Sequence, residues 1–343
     1  MKAMITTGIQ KMEMKEALRP KPEPGQVLVK IEYCGICGSD VHFYKDGRIG
    51  DHILEDDIVL GHEVSGIVTE LGENVTQLQV GDRVAMEPGI ACGKCIFCKS
   101  GLYNLCPEMV FFADPPVSGA LQEYVVHPAD LCFKLPDNVS TMEGALVEPL
   151  SVGLHAAGMG DVKLGQSVII LGTGCIGLVT LLACKARGAA QIVVVDLYDK
   201  RLEFARKLGA THTINAKKDN VEDKIKEIFS GQGADVVFET AGSIVTIAQT
   251  PFLAKRGGTI VLVGQASESK VSYNFAEVMI KELTIKSVFR YRNSYPVAIA
   301  ALSTKSIDVK QIVTHEFEFK DSKLAFDTVI KDAENVVKGV IRF

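Results

Sequence analysis

Four cysteines, Cys92, Cys95, Cys98 and Cys106, form a C-x2-C-x2-C-x7-C run in a loop that also carries Gly89, Gly93 and Gly101. Four thiolates at this spacing can close a tetrahedron on zinc, and a closed tetrahedron leaves no position for a substrate, so a structural metal is expected here. Inert surface thiols are a poor alternative, because crowded free cysteines are an oxidation liability. A second set is dispersed: Cys37 in CGICGSDVHF, His62 and Glu63 in LGHEVSG, and Glu148 in VEPLSVG. Each is a competent zinc ligand by donor type. Taken singly, however, His62 reads as a core histidine and Glu63 or Glu148 as an ion-pair partner. Cys34 and Cys37 also make a CxxC, but its flanks do not resemble a strand-to-helix redox turn.

A third feature shifts that balance towards catalysis. The apolar run VIIL leads into Gly172-Thr173-Gly174-Cys175-Ile176-Gly177, then an apolar helix, a second apolar run and Asp196. In such a turn the first glycine permits the bend, the second lets the backbone approach a pyrophosphate, and the third lets helix and strand pack closely. An acid at the end of the second strand would accept hydrogen bonds from ribose hydroxyls and repel a 2′-phosphate, so NAD is expected rather than NADP. Arg201 could lie along the adenine face, and Cys175 and Cys184 read as helix packing. Beside an NAD site the dispersed set gains a purpose. Removing hydride from an alcohol also requires loss of the hydroxyl proton, and a zinc held by one thiolate, one imidazole and one carboxylate keeps an open position at which that hydroxyl becomes acidic. Ser39 and His42, close behind Cys37, could pass the proton to solvent.

These residues need a scaffold, and the chain is long enough for two domains: it has 343 residues. Residues 26–150 are β-branched runs broken by glycine turns, such as QVLVKIEYCG and HEVSGIVTELG, and read as a β-rich domain. From about 164 the chain alternates short apolar strands with helices, Ile176 to about Arg187 and Lys200 to Leu208 among them, which describes a doubly wound parallel α/β sheet. Near Thr284 that rhythm stops. The last sixty residues read as strands and one short helix that return to the first domain.

Thirty-seven basic against 42 acidic side chains leave a net charge of −5, so no basic footprint for nucleic acid or anionic membrane is present and a small-molecule partner is expected. The start lacks the apolar core and cleavage site of a secretory signal, and nine cysteines suit metal ligation in a reducing cytoplasm better than a disulfide scaffold. The uncharged stretch Leu164 to Cys184 contains four glycines and reads as strand, loop and helix rather than a membrane span.

CGICGSD, GHEVSG, GDRV, the four-cysteine lobe, VEPLSVG and GTGCIG, in this order, resemble the zinc-containing medium-chain alcohol dehydrogenase family over nearly the whole chain. HFYKDGRIGD and SVFRYRNSYPVAI look like its polyol branch, the sorbitol (L-iditol 2-) and xylitol dehydrogenases. The resemblance implies a GroES-like β-rich catalytic domain of residues 1–150 and 288–343 and a Rossmann NAD-binding domain of residues 151–287. It places the catalytic zinc on Cys37, His62 and Glu63, with Glu148 at the zinc-bound water or substrate, and a structural zinc on the four cysteines. Arg290 and Tyr291 match polyol or cofactor contacts. Val263, Gly264, Val288 and Phe289 match cofactor-lining positions, as do Arg290 and Ile176. Phe43 stands where the branch has a substrate-touching tyrosine, a polar contact that Tyr44 could supply instead. The retained cysteine lobe is of the bacterial type, and a tetramer or dimer is implied. The activity implied is NAD-dependent oxidation of a polyol, sorbitol to fructose or xylitol to xylulose. Within the same chemistry the alternatives are a secondary alcohol, 2,3-butanediol or threonine dehydrogenase. A nucleotide-binding protein without zinc chemistry would lack both ligand sets.

Overall fold

A computed structural model of the chain describes residues 1–50, 52–266 and 270–343; Asp51, which closes HFYKDGRIGD, lies outside them. The chain divides into two compact units, Met1–Glu148 with Arg292–Phe343, and Pro149–Tyr291.

The first unit is built on a seven-stranded sheet whose central strand is Gln26–Gly35. Val27, Leu28 and Val29 are all fully buried, so this strand is covered on both faces rather than alternating. It pairs antiparallel with Glu63–Leu71 on one side. Its other side is shared, Tyr124–Pro128 pairing with the first half and Lys338–Arg342 with the end. One consequence governs the site: Gly35 lies opposite Glu63 on one neighbour and opposite Val340 on the other. A strand from the chain's last residues thus reaches the position where the His62-Glu63 motif begins. The last sixty residues hold two helices, Tyr295–Ser303 and Ser322–Lys331, where the sequence suggested one. YPVAIAALS has little amphipathic period because so much of it is apolar.

The second unit carries a six-stranded parallel sheet in the order His212–Asn215, Gln191–Asp196, Ser167–Leu171, Ala234–Glu239, Ala254–Leu262, Thr284–Ser287. That is the 3-2-1-4-5-6 order of a doubly wound sheet, and the chain reverses direction across the sheet at Ser167–Leu171, the strand that feeds the glycine turn. The helices Cys175–Ala186 and Asp199–Leu208 match the sequence expectation to within a residue. Ile169, Leu171, Val193, Val195, Val237 and Ile260 form the centre of this unit's core. Among the described residues no helix is long and apolar enough to cross a membrane.

The join between first strand and first helix is made by glycine. A Cβ on Gly177 would lie 2.0 Å from the Gly172 carbonyl oxygen, and Gly172 itself has φ of +98°. Gly177→Ala is therefore expected to push the helix off the sheet and lower stability by about 1–3 kcal/mol, read as a drop in melting temperature with weaker NADH binding by fluorescence; an unchanged melt would show that the turn has slack.

Candidate active site

Among the described residues, two groups of His, Cys, Asp and Glu gather closely enough to hold a metal ion, and both lie in the first unit. In one, the ligand atoms of Cys37, His62 and Glu63 lie within 4.8 Å of one another. Cys37 caps the N-terminus of the helix Gly38–Asp46, and Glu63 opens the strand Glu63–Leu71. Between them stands Asp40, 1% exposed. Its carboxylate accepts the backbone amides of Cys37 (3.3 Å) and Gly61 (3.1 Å), and lies 3.4 Å from His62 Nδ1. One buried acid thus sets both the helix start and the imidazole's orientation, leaving the other ring nitrogen for a metal. Gly61, with φ of +94°, makes the turn into His62.

Glu63 is 1% exposed and Lys338, its ion-pair partner, 2%. The ammonium also donates to the Ile36 carbonyl oxygen at 2.9 Å. Space for the carboxylate exists because residue 35 is glycine: a Cβ there would lie 1.9 Å from Glu63 Oε2. With His62 neutral and Cys37 deprotonated, as ligands must be, Cys37, Asp40 and Glu63 present three negative charges against one positive on Lys338, a donor set suited to a divalent cation. His62 responds to the same imbalance. Burial opposes its protonation, but Asp40 and Cys37 outweigh burial and hold its pKa well above the ordinary value. The residues therefore fit zinc. Sequence reasoning missed Asp40 and Lys338. The available signals were an acid at the third position of the helix that follows Cys37, and a lone charge in the apolar run VVKGVI.

Glu148, in the first turn of the helix Val147–Met159, is buried but stands outside the three-residue group. His42 lies on the exposed side of its helix with Nδ1 3.3 Å from Asp46. Phe43 is 3% exposed and packs in the first unit's core. The Tyr44 hydroxyl donates to Asp327 (2.8 Å) or the Gln10 carbonyl oxygen (3.2 Å), and its ring sits edge-on to Phe326. Cys34 is fully buried, and burial, then Asp40 and Glu63, push its thiol well up, which disfavours a reactive thiolate there.

The second group is the four-cysteine lobe. Cys98 Sγ lies 3.4 Å from Cys95 Sγ and 3.9 Å from Cys92 Sγ. Zinc–sulfur bonds of about 2.3 Å place tetrahedral sulfurs about 3.8 Å apart, so the set fits a closed zinc site. Backbone amides are aimed at the sulfurs, Cys92 N at Cys106 Sγ and Cys98 N at Cys95 Sγ. The amides of Lys94 and Cys95 lower Cys92 to about 7, while desolvation and then Cys95 raise Cys98 to about 12, as expected of thiols sharing charge without a cation.

In the second unit, Gly174 caps the helix Cys175–Ala186 and a Cβ there would meet nothing within 4 Å, so its amide end is open to a phosphate. Ile176 and Gly177 occupy the first turn. Gly264 packs so closely on Gly242 that a Cβ would lie 2.3 Å from its nitrogen, and the Val263 and Gly264 amides both bond the Glu239 carbonyl oxygen. The Val288 amide bonds the Leu262 carbonyl oxygen, and the Arg290 guanidinium lies 4.9 Å from the exposed Phe289 ring. Arg201 sits over the Tyr198 ring at 5.6 Å, with Lys217 Nζ at 4.3 Å from the same ring. Asp196 is more engaged than its sequence role suggests. It accepts the Thr173 amide (2.8 Å) and hydroxyl, and the amides of Leu197 (2.7 Å) and Tyr198 (3.1 Å).

Comparison with known proteins gives the family. The alcohol dehydrogenase GroES-like domain family matches residues 23–137 and the zinc-binding dehydrogenase family residues 175–304. An uncharacterized zinc-type alcohol dehydrogenase-like protein of Escherichia coli is 47% identical over 96% of this chain and 95% of its own. The sorbitol dehydrogenase of Bacillus subtilis is 38% identical over 99% of this chain and 97% of its own. Among solved structures, 2R,3R-butanediol dehydrogenase from Bacillus subtilis superposes with a TM-score of 0.91 at 34% identity, covering 100% of this chain and 99% of that one.

Zinc analysis separates the two metal groups. Parent protein is expected to hold two zinc ions per chain. Gly35→Ala displaces the Glu63 carboxylate and should lower the ratio towards one, while Cys95→Ser should also lose one zinc but with a larger fall in melting temperature. Full zinc content in Gly35→Ala would remove Glu63 from the ligand set.

Proposed function

Because the chain belongs to the zinc-containing medium-chain alcohol dehydrogenase family, on its polyol branch, we propose that it is an NAD-dependent polyol 2-dehydrogenase, interconverting sorbitol and fructose or xylitol and xylulose. The observation that carries this reading is the convergence of Cys37, His62 and Glu63, the last two buried, in a chain that also holds a dinucleotide turn ending at Asp196. The reaction removes a hydride from the carbinol carbon to NAD and releases the hydroxyl proton, leaving a ketose, NADH and H⁺. Zinc, when bound, would supply Lewis-acid polarisation of the substrate oxygen.

The chain's own residues do the remainder. Asp40 and Lys338 hold His62 and Glu63 in place. Glu148 orients the reacting hydroxyl and accepts its hydrogen bond. Ser39 and His42, the latter steadied by Asp46, carry the proton outward. Arg290 and Tyr291 bind the polyol hydroxyls, and Phe43 contributes only apolar surface. Asp196 binds the adenosine ribose and disfavours a 2′-phosphate, with Arg201 along the adenine. We take the enzyme to work in the cytoplasm as a homo-oligomer, a tetramer or dimer. A second reading, 2,3-butanediol oxidation, is favoured by the full-length similarity to the butanediol enzyme. Secondary alcohol or threonine oxidation would use the same residues, whereas a non-enzymatic nucleotide-binding role leaves both cysteine-containing sets without purpose.

NADH formation from sorbitol, xylitol, ribitol, galactitol, 2,3-butanediol and threonine decides between them: polyols should lead by at least about tenfold in kcat/KM, a margin of about 1.4 kcal/mol, and a lead for butanediol or threonine reassigns the substrate. Glu148→Gln is expected to keep zinc and NAD but lower kcat by about 100-fold. Rates within a few-fold of the parent would remove Glu148 from the reaction. Asp196→Ala should weaken NAD binding and narrow the NAD over NADP preference; equal use of both cofactors by the parent would refute the NAD assignment.

A further inference from the structure

The stretch Arg290 to Ser294 has an uncommon backbone. Arg290 has φ of +55° and Asn293 φ of +54°, two left-handed residues within four positions, and neither is glycine. L-residues avoid this region, an arginine more than an asparagine, so the conformation persists only where its surroundings impose it. The second unit ends at Tyr291 and the first resumes at Arg292, so this is the point at which the chain re-enters the first unit.

The four-cysteine lobe holds the second half of this stretch. The Asn293 amide donates to the Tyr103 hydroxyl at 2.7 Å, and that hydroxyl donates to Glu87 Oε1 at 2.8 Å. The Asn293 side chain donates to the Gly101 carbonyl oxygen, and the Arg292 guanidinium to Asn104 Oδ1, each at 3.3 Å. Gly101, Tyr103 and Asn104 all lie between Cys98 and Cys106. Glu87 is 4% exposed, and burial together with its charge pushes the Tyr103 hydroxyl upward, so it keeps its proton and its direction of donation. The hydroxyl therefore presents a lone pair to the Asn293 amide.

We propose that the cysteine lobe positions the substrate-binding residues, with Tyr103, braced by Glu87, clamping Asn293 and thereby setting the backbone of Arg290 and Tyr291. Tyr103 is a positioning residue that touches neither substrate nor cofactor. This rests on the proposed contact of Arg290 with the polyol, and it gives the lobe's zinc a role in substrate affinity beyond stability.

Zinc-loaded protein with NAD and the best alcohol of the panel tests this in three variants, Tyr103→Phe, Arg290→Ala and the double. Losing a hydrogen bond to a backbone amide is worth up to about tenfold. Tyr103→Phe should keep two zinc ions, speed deuterium exchange in the peptide spanning Arg290 to Tyr295 by about tenfold, and raise KM by a similar factor with kcat within about twofold. In the Arg290→Ala background the same change should add less than about twofold to KM. Unchanged exchange, or KM factors that multiply in the double variant, overturns the proposal. Faster exchange in Tyr103→Phe with an unaltered KM in Arg290→Ala defeats the assignment of Arg290 to substrate and the positioning role with it. A raised KM in Arg290→Ala alone defeats the clamp and leaves the proposed function standing.

Discussion

Asp40 and Glu63 are each about 1% exposed, lie beside Cys37, and have the ammonium of Lys338 as the buried positive charge among them. Excess negative charge in a water-excluded site is costly, and removing one partner of a buried ion pair costs several kcal/mol. A cation would offset that charge, and Asp40 and Cys37 hold the His62 pKa above its ordinary value against the opposing effect of burial. A metal held here would stabilise the folded state, because its ligands come together only when these backbone elements are in place. Asp40 shows the economy of the arrangement, since it engages the Cys37 amide, the Gly61 amide and His62 at once.

The sheet makes this assembly possible. Glu63, Gly35 and Lys338 come from three strands far apart in sequence that lie side by side, Gln26–Gly35 between the other two. A register slip by one residue would turn the Glu63 side chain to the opposite face, away from both Cys37 and Lys338. Gly35 adds a steric condition to the electrostatic one, because any side chain there occupies the carboxylate's position. The same logic recurs in the second unit, where Gly177 and Gly264 are small so that backbone can lie against backbone.

The two metal groups differ in what surrounds them. The four cysteines are only partly buried, apart from Cys106, and their sulfurs are met by backbone amides of their own loop, so the lobe is a local structure closed by its metal. In the Cys37 group His62 and Glu63 are buried, and Glu63 draws its partner Lys338 from a distant strand. Through Tyr103 and Asn104 the lobe nevertheless holds residues from the far end of the chain. Asp196 illustrates a further difference between a site and its motif, because its carboxylate already serves the glycine turn that it follows in space.

The family, the α/β class and the parallel sheet were legible in the sequence because each rests on local signals. Glycine spacing specifies a turn, cysteine spacing specifies a chelate loop, and apolar runs of strand length alternating with helices specify a doubly wound sheet. The helix Tyr295–Ser303 was not legible, since an element that is apolar on most sides lacks the period that marks a helix. Phe43 and Tyr44 were named for a substrate contact from their position in a motif, yet packing places Phe43 in the core and engages the Tyr44 hydroxyl with Asp327 or Gln10. Sequence by itself therefore determined which donor types and which turns are present. Only the tertiary structure decided that Lys338 faces Glu63, that Asp40 orients His62 and that Tyr103 holds Asn293. These pairings join residues separated by long stretches of chain or by a turn whose path depends on the sheet, and no local pattern encodes a distance that strand register and packing create.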